Sequence, residues 1–562
     1  MRTYGAIALV NDRWVISALD AHVRIRLKHI FPRIPKTADV PYVLPNDLPH
    51  AADIEWFLSR YPLRISPDDR MALIGGRLRF ETRQTELERI LAADYAPPAY
   101  PRLKPGAEVR HYQSQAVEVL FRSFGLLLGD EVGLGKTFTT AAACLNPDAL
   151  PAIVVCHPHL QKQWIDVIHG FTTLNAYGIK KTKPYELPPA DVFVFRYSQL
   201  AGWVDRFADI GPKLVAYDEV QELRTGTASA KGVAALRLSN LATYRLGLSA
   251  TPIYNYGNEI WEVMRFLRPD ALGDYYDFVR EWTGNSRTVS NPKALGTYLR
   301  EQFAFLRRTK RDVGKEMPPV NRIVDMIEHD EAKLRDIDEL AHQLAVRTTV
   351  GEFTDRGQAA RELDMLVRQQ TGIAKAKGVA AFARILVEGG EPIALVGWHR
   401  EVYDIWLEEL AEFRPAMYTG SESPAGKNRE KDRFISGDTD ILIMSLRSGA
   451  GLDGLQFRCS TMVFGELDWS PGIHHQCVGR LDREGQADPV TAIFLVTDDG
   501  SDPPIMEMLG LKASQAAGIA DPELGVQTVH SDISRVQALV SRYLKRKKRG
   551  PVDNPEQERL AI

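Results

Sequence analysis

Cysteine is scarce in this chain of 562 residues: there are four, Cys144, Cys156, Cys459 and Cys477. No two of them form a C-x-x-C pair, so neither a disulfide framework nor a zinc site is signalled, and a reducing compartment fits the pattern. A dominant charge is lacking too. Lys+Arg 70 against Asp+Glu 73 leaves a formal net charge of -3, so bulk charge signals no polyanion binding and any basic surface must be local. Long hydrophobic runs are missing: none approaches the length needed to cross a bilayer. The first ten residues lack the cationic start and apolar core of a signal peptide, and Asn11-Asp12-Arg13 interrupts them. These absences predict a cytoplasmic protein with no membrane partner. What is present, 44% hydrophobic, 25% charged and 9% aromatic residues, is the balance of an ordinary globular chain, long enough for two to four domains.

Residues 1–95 read as a small α+β accessory module. Two short apolar stretches, 4–10 and 14–18, flank Asn11-Asp12 as a hairpin would. Residues 51–61 place Ile54, Phe57 and Leu58 on one helical side and stop at Pro62. The proline-rich segment 96–108 is expected to be a stiff linker. From 109 to 310 apolar strands (152–156, 192–195, 214–217, 244–248) alternate with helices, which predicts a parallel sheet covered on both faces. Residues 311–380 read as a helical insertion, because 331–370 are charged and strand-poor. A second α/β series fills 381–515, with strands at 392–396, 441–444, 461–464 and 492–496. The tail, 516–562, carries Lys545-Arg546-Lys547-Lys548-Arg549, either a solvated end or a patch that grips nucleic acid or directs targeting. The fold class is therefore α/β, two lobes with a helical section between them.

The chemistry begins at Gly129-Asp130-Glu131-Val132-Gly133-Leu134-Gly135-Lys136-Thr137, which follows an apolar run and precedes a helix-like segment. A phosphate-binding loop needs that setting. Gly133 and Gly135 let backbone N–H groups approach phosphates, Lys136 neutralises the β/γ oxygens, and the Thr137 hydroxyl can hold Mg²⁺. The strict pattern has Gly where Asp130 stands, so a Gly-rich turn is the rival reading of this stretch alone. The strand 214–217 then delivers Asp218 and Glu219: one carboxylate to bind Mg²⁺, one to orient and deprotonate the attacking water. Two solvated acids at a strand end would be the bland alternative without the loop upstream. Ser249 and Thr251 close the next strand and offer hydroxyls to sense the nucleotide. Arg480 and Arg483, three apart and expected on one helical face, would reach the γ-phosphate across a cleft, or else serve as surface ion-pair partners. His474-His475 reads as a helix-surface pair rather than a metal site.

In this order the motifs resemble those of the Swi/Snf-type ATPases, helicase-like DNA translocases of superfamily two, over residues 109–512. Arg110-His111-Tyr112-Gln113 is similar to that family's glutamine motif, implying that Gln113 reads adenine. Asp130 through Thr137 looks like the family's own phosphate loop, without the first Gly. Val154 to Trp164 resembles a track-contacting motif, and Asp218-Glu219-Val220-Gln221 the acidic box. Leu306-Arg307-Arg308-Thr309-Lys310 is close to a signature that other helicases lack. Gly449-Ala450-Gly451-Leu452-Asp453 looks like a further motif, with Asp453 where the family usually has Asn, and Gln476 to Gln486 matches the last. The resemblance implies two RecA-like lobes, catalytic Lys136, Asp218, Glu219, Gln476, Arg480 and Arg483, and nucleotide contacts from Gln113, Gly451 and Asp453. It also implies ATP with Mg²⁺, and a duplex or forked DNA track read without sequence preference. By motif position, Lys162, Gln163, Tyr197, Ser198, Arg447 and Ser448 would touch that track. Cys/His clusters of chromatin-reading modules are absent from the sequence, so a compact bacterial or phage motor in replication, repair or recombination is the expectation, with unknown protein partners. A motor subunit of a defence complex, an RNA-stimulated helicase and a clamp without catalysis are the alternatives.

Overall fold

The computed structural model describes residues 2–250, 257–284, 288–314, 320–348, 353–447, 452–507 and 509. In the N-terminal module, β1 (Ala6–Val10) and β2 (Arg13–Ser17) pair antiparallel, and β3 (Tyr42–Pro45) joins β2. Asn11 and Asp12 connect the hairpin with φ of 48° and 58°, the left-handed pair that a two-residue hairpin turn requires and that Asn and Asp tolerate. Trp14, Ile16 and Phe57 form its core with helices α1 (Ala21–Ile30) and α2 (Leu48–Arg60). Helix α3 (Pro67–Leu91) carries the chain out: its Leu87 and Ile90 pack with Ala116 and Leu120 in the core of the next domain. Arg33 adds a second anchor, donating to Glu281 Oε2 at 3.0 Å and to the Ala271 carbonyl at 2.9 Å. The segment expected to be a linker lies against lobe one, with Lys104 N–H donating to the Phe171 carbonyl at 3.0 Å.

Lobe one is a seven-stranded, wholly parallel sheet. Its strands are β4 (Gly125–Leu128), β5 (Ala152–Cys156), β6 (Ala176–Gly178), β7 (Val192–Arg196), β8 (Leu214–Asp218), β9 (Tyr244–Leu248) and β10 (Phe305–Leu306), in the order β10-β4-β9-β8-β5-β7-β6. Its central strands are buried on both faces, the reason they read as continuous apolar runs. Helices α4 (His111–Ser123), α5 (Lys136–Ala143) and α6 (Gln161–Phe171) pack around it.

Lobe two is a six-stranded parallel sheet of β11 (Val320–Met326), β12 (Ile393–Gly397), β13 (Ala416–Tyr418), β14 (Ile441–Ser445), β15 (Thr461–Phe464) and β16 (Val490–Val496), in the order β11-β16-β15-β12-β14-β13. The two lobes are RecA-like, as the sequence implied. Two features differ from the sequence reading. β11 falls inside the segment expected to be helical, and it pairs along its whole length with β16. The helices Asp338–Arg347 and Phe353–Glu388 are present, but they are not an insertion standing apart: Leu344, Leu363 and Val367 share a core with Ala394, Val396 and Leu442 of the second sheet. Among the described residues no helix is long and apolar enough to cross a membrane.

Candidate active site in the interlobe cleft

The carboxyl ends of β4, β8 and β9 lie side by side, the edge where parallel α/β sheets hold ligands. From β4 the chain enters the loop 129–135 and then α5. Gly133 and Gly135 take φ of 88° and 75°, the left-handed region that side chains disfavour, so these two glycines are demanded by the backbone. The Lys136 ammonium donates to the carbonyls of Asp130 and Glu131 at 2.6 and 3.3 Å. Burial lowers its pKa, opposed by Asp130 and Glu219.

At the end of β8 the carboxylates are held from outside the strand. Trp164 Nε1 donates to Asp218 Oδ2 at 2.9 Å, and the Tyr197 hydroxyl donates to the Asp218 carbonyl at 2.8 Å. Burial, with adjacent Glu219, pushes the Asp218 carboxyl up to about 7. A carboxyl raised in the fold binds its proton more tightly than in the unfolded chain, so its contribution to stability is present at acid pH and declines as pH rises from about 4 to 7. Asp218→Asn, which keeps an acceptor for Trp164, should therefore make the ligand-free protein more stable than the parent at pH 8 by on the order of 2 kcal/mol, and equal to it near pH 4. Urea titrations at the two pH values read this directly; equal midpoints at pH 8 would refute a raised Asp218.

Lobe two closes the site. The helix Pro471–Val478 presents Gln476, whose Nε2 donates to Glu219 Oε2 at 3.2 Å across the cleft. That helix ends at Val478, so Arg480 and Arg483 project from the turn beyond it, not from a helical face as the spacing suggested. Arg483 Nη1 donates to Asp453 Oδ1 at 2.8 Å. Among the described residues the Arg480 guanidinium makes only a long contact, 3.5 Å, to the Leu452 carbonyl; burial and neighbouring Arg483 lower its pKa to about 10. The cavity between the lobes measures about 390 Å³ and is lined by Lys136, Thr137, Asp218 and Glu219 on one side and Gln476, Arg480 and Arg483 on the other. Two of its oxygen groups, the Thr137 hydroxyl and the Asp218 carboxylate, are hard ligands of the kind Mg²⁺ prefers when water and phosphate complete its shell.

The acid at 453, where the resemblance led us to expect Asn, now has an occupation. Arg483 and the Gly454 N–H, at 3.0 Å, hold its carboxyl below the ordinary range. Asp453 thus competes with a bound anion for Arg483. Asp453→Asn should weaken that competition and lower KM for ATP about threefold to tenfold, the yield of roughly one charge-assisted bond at a partly exposed site; a KM unchanged or raised would sink the idea.

Other predicted residues fall elsewhere. Gln113 is buried and braces the loop: Oε1 accepts from Arg110 N–H at 3.0 Å while Nε2 donates to the Leu134 carbonyl at 3.3 Å. It is not among the cavity's lining residues. Tyr197 is buried, its hydroxyl committed to β8, which corrects its assignment to a track. Gln163 lines the nucleotide cavity beside Trp164. Lys162 is exposed and paired with Asp166, Ser198 is exposed, and Arg447 lies 5.0 Å over the Trp398 ring and 3.3 Å from Asp468. His474 is no surface residue either: it is buried, and its Nε2 accepts the Asp468 N–H at 3.2 Å. Burial lowers the pKa of both histidines to about 4. Ser249 is buried at the end of β9. Thr251, Ser448, Gly449, Ala450, Gly451 and the basic run 545–549 lie outside the described residues.

Sequence reasoning missed the ties between segments. Lys310 Nζ donates to the Asp482 carbonyl and Oδ1 at 2.7 and 2.5 Å, joining the lobes. Arg308 pairs with Asp130, and Arg307 Nη1 donates to the Gly129 carbonyl at 2.8 Å. The 306–310 signature is thus the strut of the phosphate loop. Its conspicuous basic run was the available signal; its partners were not.

The model of the SNF2-related domain matches residues 52–357, more than half of the chain. The Xenopus laevis protein named SWI/SNF-related matrix-associated actin-dependent regulator of chromatin subfamily A-like protein 1 is 24% identical over 423 residues, 72% of this chain and 44% of its own length. An uncharacterized ATP-dependent helicase of Mycoplasma pneumoniae is 22% identical, over 78% of this chain and 44% of its own. The chain therefore spans less than half of each of these two relatives. The Sulfolobus solfataricus SWI2/SNF2 ATPase core in complex with dsDNA is 19% identical, covers 76% of this chain and 96% of its own, and superposes with a TM-score of 0.37. With the family's domain model matched over more than half its length, this chain belongs to the SNF2-related family.

Proposed function

We propose that the chain is an ATP-driven motor that hydrolyses ATP with Mg²⁺ in the interlobe cleft and moves along duplex or forked DNA in replication, repair or recombination. One observation carries the reading: a single cavity is walled by a phosphate loop and two acids from lobe one and by two arginines and a glutamine from lobe two. Such a site works only when the lobes meet, so each turnover is coupled to their closure and opening.

Glu219 takes a proton from the water that attacks the γ-phosphorus, the γ-phosphoryl passes to that water, and ADP leaves. Gln476, bonded to Glu219, fixes the carboxylate's direction. Lys136 and Arg480 meet the charge that builds on the phosphoryl oxygens. Mg²⁺, held by Thr137 and Asp218, would neutralise the β and γ oxygens. The track would be gripped through phosphates by exposed residues of both lobes, Lys162, Ser198 and Arg447 among them, with little dependence on sequence. A motor of the bacterial or phage kind, working at the nucleoid, is the finer reading, and the Mycoplasma pneumoniae relative supports it.

The test is steady-state ATP hydrolysis without nucleic acid and with duplex, forked or single-stranded DNA or RNA, beside Lys136→Ala. Stimulation by duplex or forked DNA, abolished by the substitution, is the expected result. Stimulation by RNA alone would replace the DNA reading, and no turnover on any substrate would remove the motor.

A further inference from the structure

A second cavity, about 280 Å³, lies at the seam between the N-terminal module and lobe one. One wall is a single face of α3, since Phe80, Arg83, Gln84 and Leu87 follow the helical spacing i, i+3, i+4, i+7. A second wall is the turn 46–50, made of the Asn46-Asp47 link after β3 and the first residues of α2. Lobe one supplies the third, with Arg268, Asp270, Tyr298 and Gln302.

The charges here can be paired off. Arg33 is matched by Glu281 at 3.0 Å, and Arg268 by Asp270 at 3.3 Å, with a further bond to the Ser123 carbonyl at 3.2 Å. The His50 ring sits 2.7 Å from Asp47 Oδ1. Arg83 is left over: among the described residues it has neither an ion-pair nor a hydrogen-bond partner, although it is half-buried on the cavity wall. Burial and nearby Arg268 lower its pKa, with Asp270 only partly opposing them. A guanidinium half-removed from water without an acceptor is unfavourable; an anion in the cavity reverses that. Arg is also the side chain whose fork suits phosphate oxygens. The remaining lining fits the rest of such a ligand: Phe80 and Tyr298 offer flat surfaces, while Asn46, Gln84 and Gln302 offer neutral amides.

We propose that this seam is a binding site for the phosphate group of a small phosphorylated molecule, seated on Arg83. The occupant touches α3, the 46–50 turn and lobe one at once, so binding ties the N-terminal module to the motor. It stands apart from the interlobe cleft and does not depend on the chemistry proposed there.

Hydrogen exchange of the full chain tests this, read separately at the seam (46–50 and 80–87) and at the cleft loop 129–135 so that occupancy of the two sites is distinguished. The probes are inorganic phosphate, AMP and a 5′-phosphorylated oligonucleotide. Phosphate or AMP should protect residues 46–50 and 80–87, with apparent affinity falling about tenfold or more in Arg83→Ala and less in Arg83→Lys. ATP hydrolysis should stay at the parent level in both variants, since Arg83 touches nothing in the cleft. Protection that persists unchanged in Arg83→Ala, or that neither small probe produces, overturns the site. Protection by the oligonucleotide alone overturns the small molecule as its occupant.

Discussion

Arg480→Ala is expected to lower kcat for ATP hydrolysis by ~10³–10⁵-fold, the effect of removing an arginine that meets phosphoryl charge in the transition state, and to do so more severely than Arg483→Ala. The two arginines look equivalent in the sequence; their surroundings separate them. Arg483 is already engaged, with Asp453 at 2.8 Å and the Gly479 carbonyl at 3.0 Å. Arg480 has no carboxylate within ion-pairing distance among the described residues and only the 3.5 Å contact to Leu452, while burial already lowers its pKa. A desolvated cation without a counter-ion, facing Lys136, Asp218 and Glu219 across one cavity, is preorganised for charge that appears only during reaction. The loss should therefore fall on kcat with KM changed little, whereas Arg483→Ala should raise KM as well. Single-turnover hydrolysis beside nucleotide binding separates the two. Equal losses would make the two arginines share the role, and an Arg480→Ala enzyme retaining a tenth of the parent rate would take it away from Arg480.

How far the sequence revealed this site follows from where each residue's partners lie. The phosphate loop and the acid pair were legible because their chemistry is local: glycines at the left-handed positions, a lysine opening α5, two carboxylates ending an apolar strand. The central strands were legible because parallel sheets bury both faces. β11 was not: it is an edge strand that mixes Asn321, Arg322 and Asp325 with Ile323, Val324 and Met326, without alternation and all exposed, so it carries no core signal. Tyr197 looked like a track contact by motif position, yet its role is set by the Asp218 carbonyl twenty-one residues on. The Lys310–Asp482 and Gln476–Glu219 ties span 172 and 257 residues, and no local pattern announces such partners. Asp453 was noticed as a departure; only its geometry against Arg483 gives that departure a meaning.

Arg308→Ala should destabilise lobe one by ~3–5 kcal/mol, because it strands a buried carboxylate. Asp130, standing where the strict loop pattern has glycine, is 1% exposed and takes two bonds from the Arg308 guanidinium, at 3.0 and 2.5 Å, and one from the Arg308 N–H at 3.0 Å. Arg308 also donates to the Tyr112 carbonyl and lies 5.2 Å over that residue's ring. Its loss therefore loosens α4 and the phosphate loop together. Since the Asp130 carbonyl also receives the Lys136 ammonium, KM for ATP should rise before the lobe unfolds. The charge, not the missing volume, is the larger part of the cost: adding Asp130→Asn to Arg308→Ala removes the uncompensated anion and should restore about half of the lost stability. Urea midpoints for the parent, both single variants and the double variant close the cycle. If Arg308→Ala stays within ~1 kcal/mol of the parent, or if the second change deepens the loss, then solvent satisfies Asp130 and the 306–310 segment does not hold the loop in place through this pair.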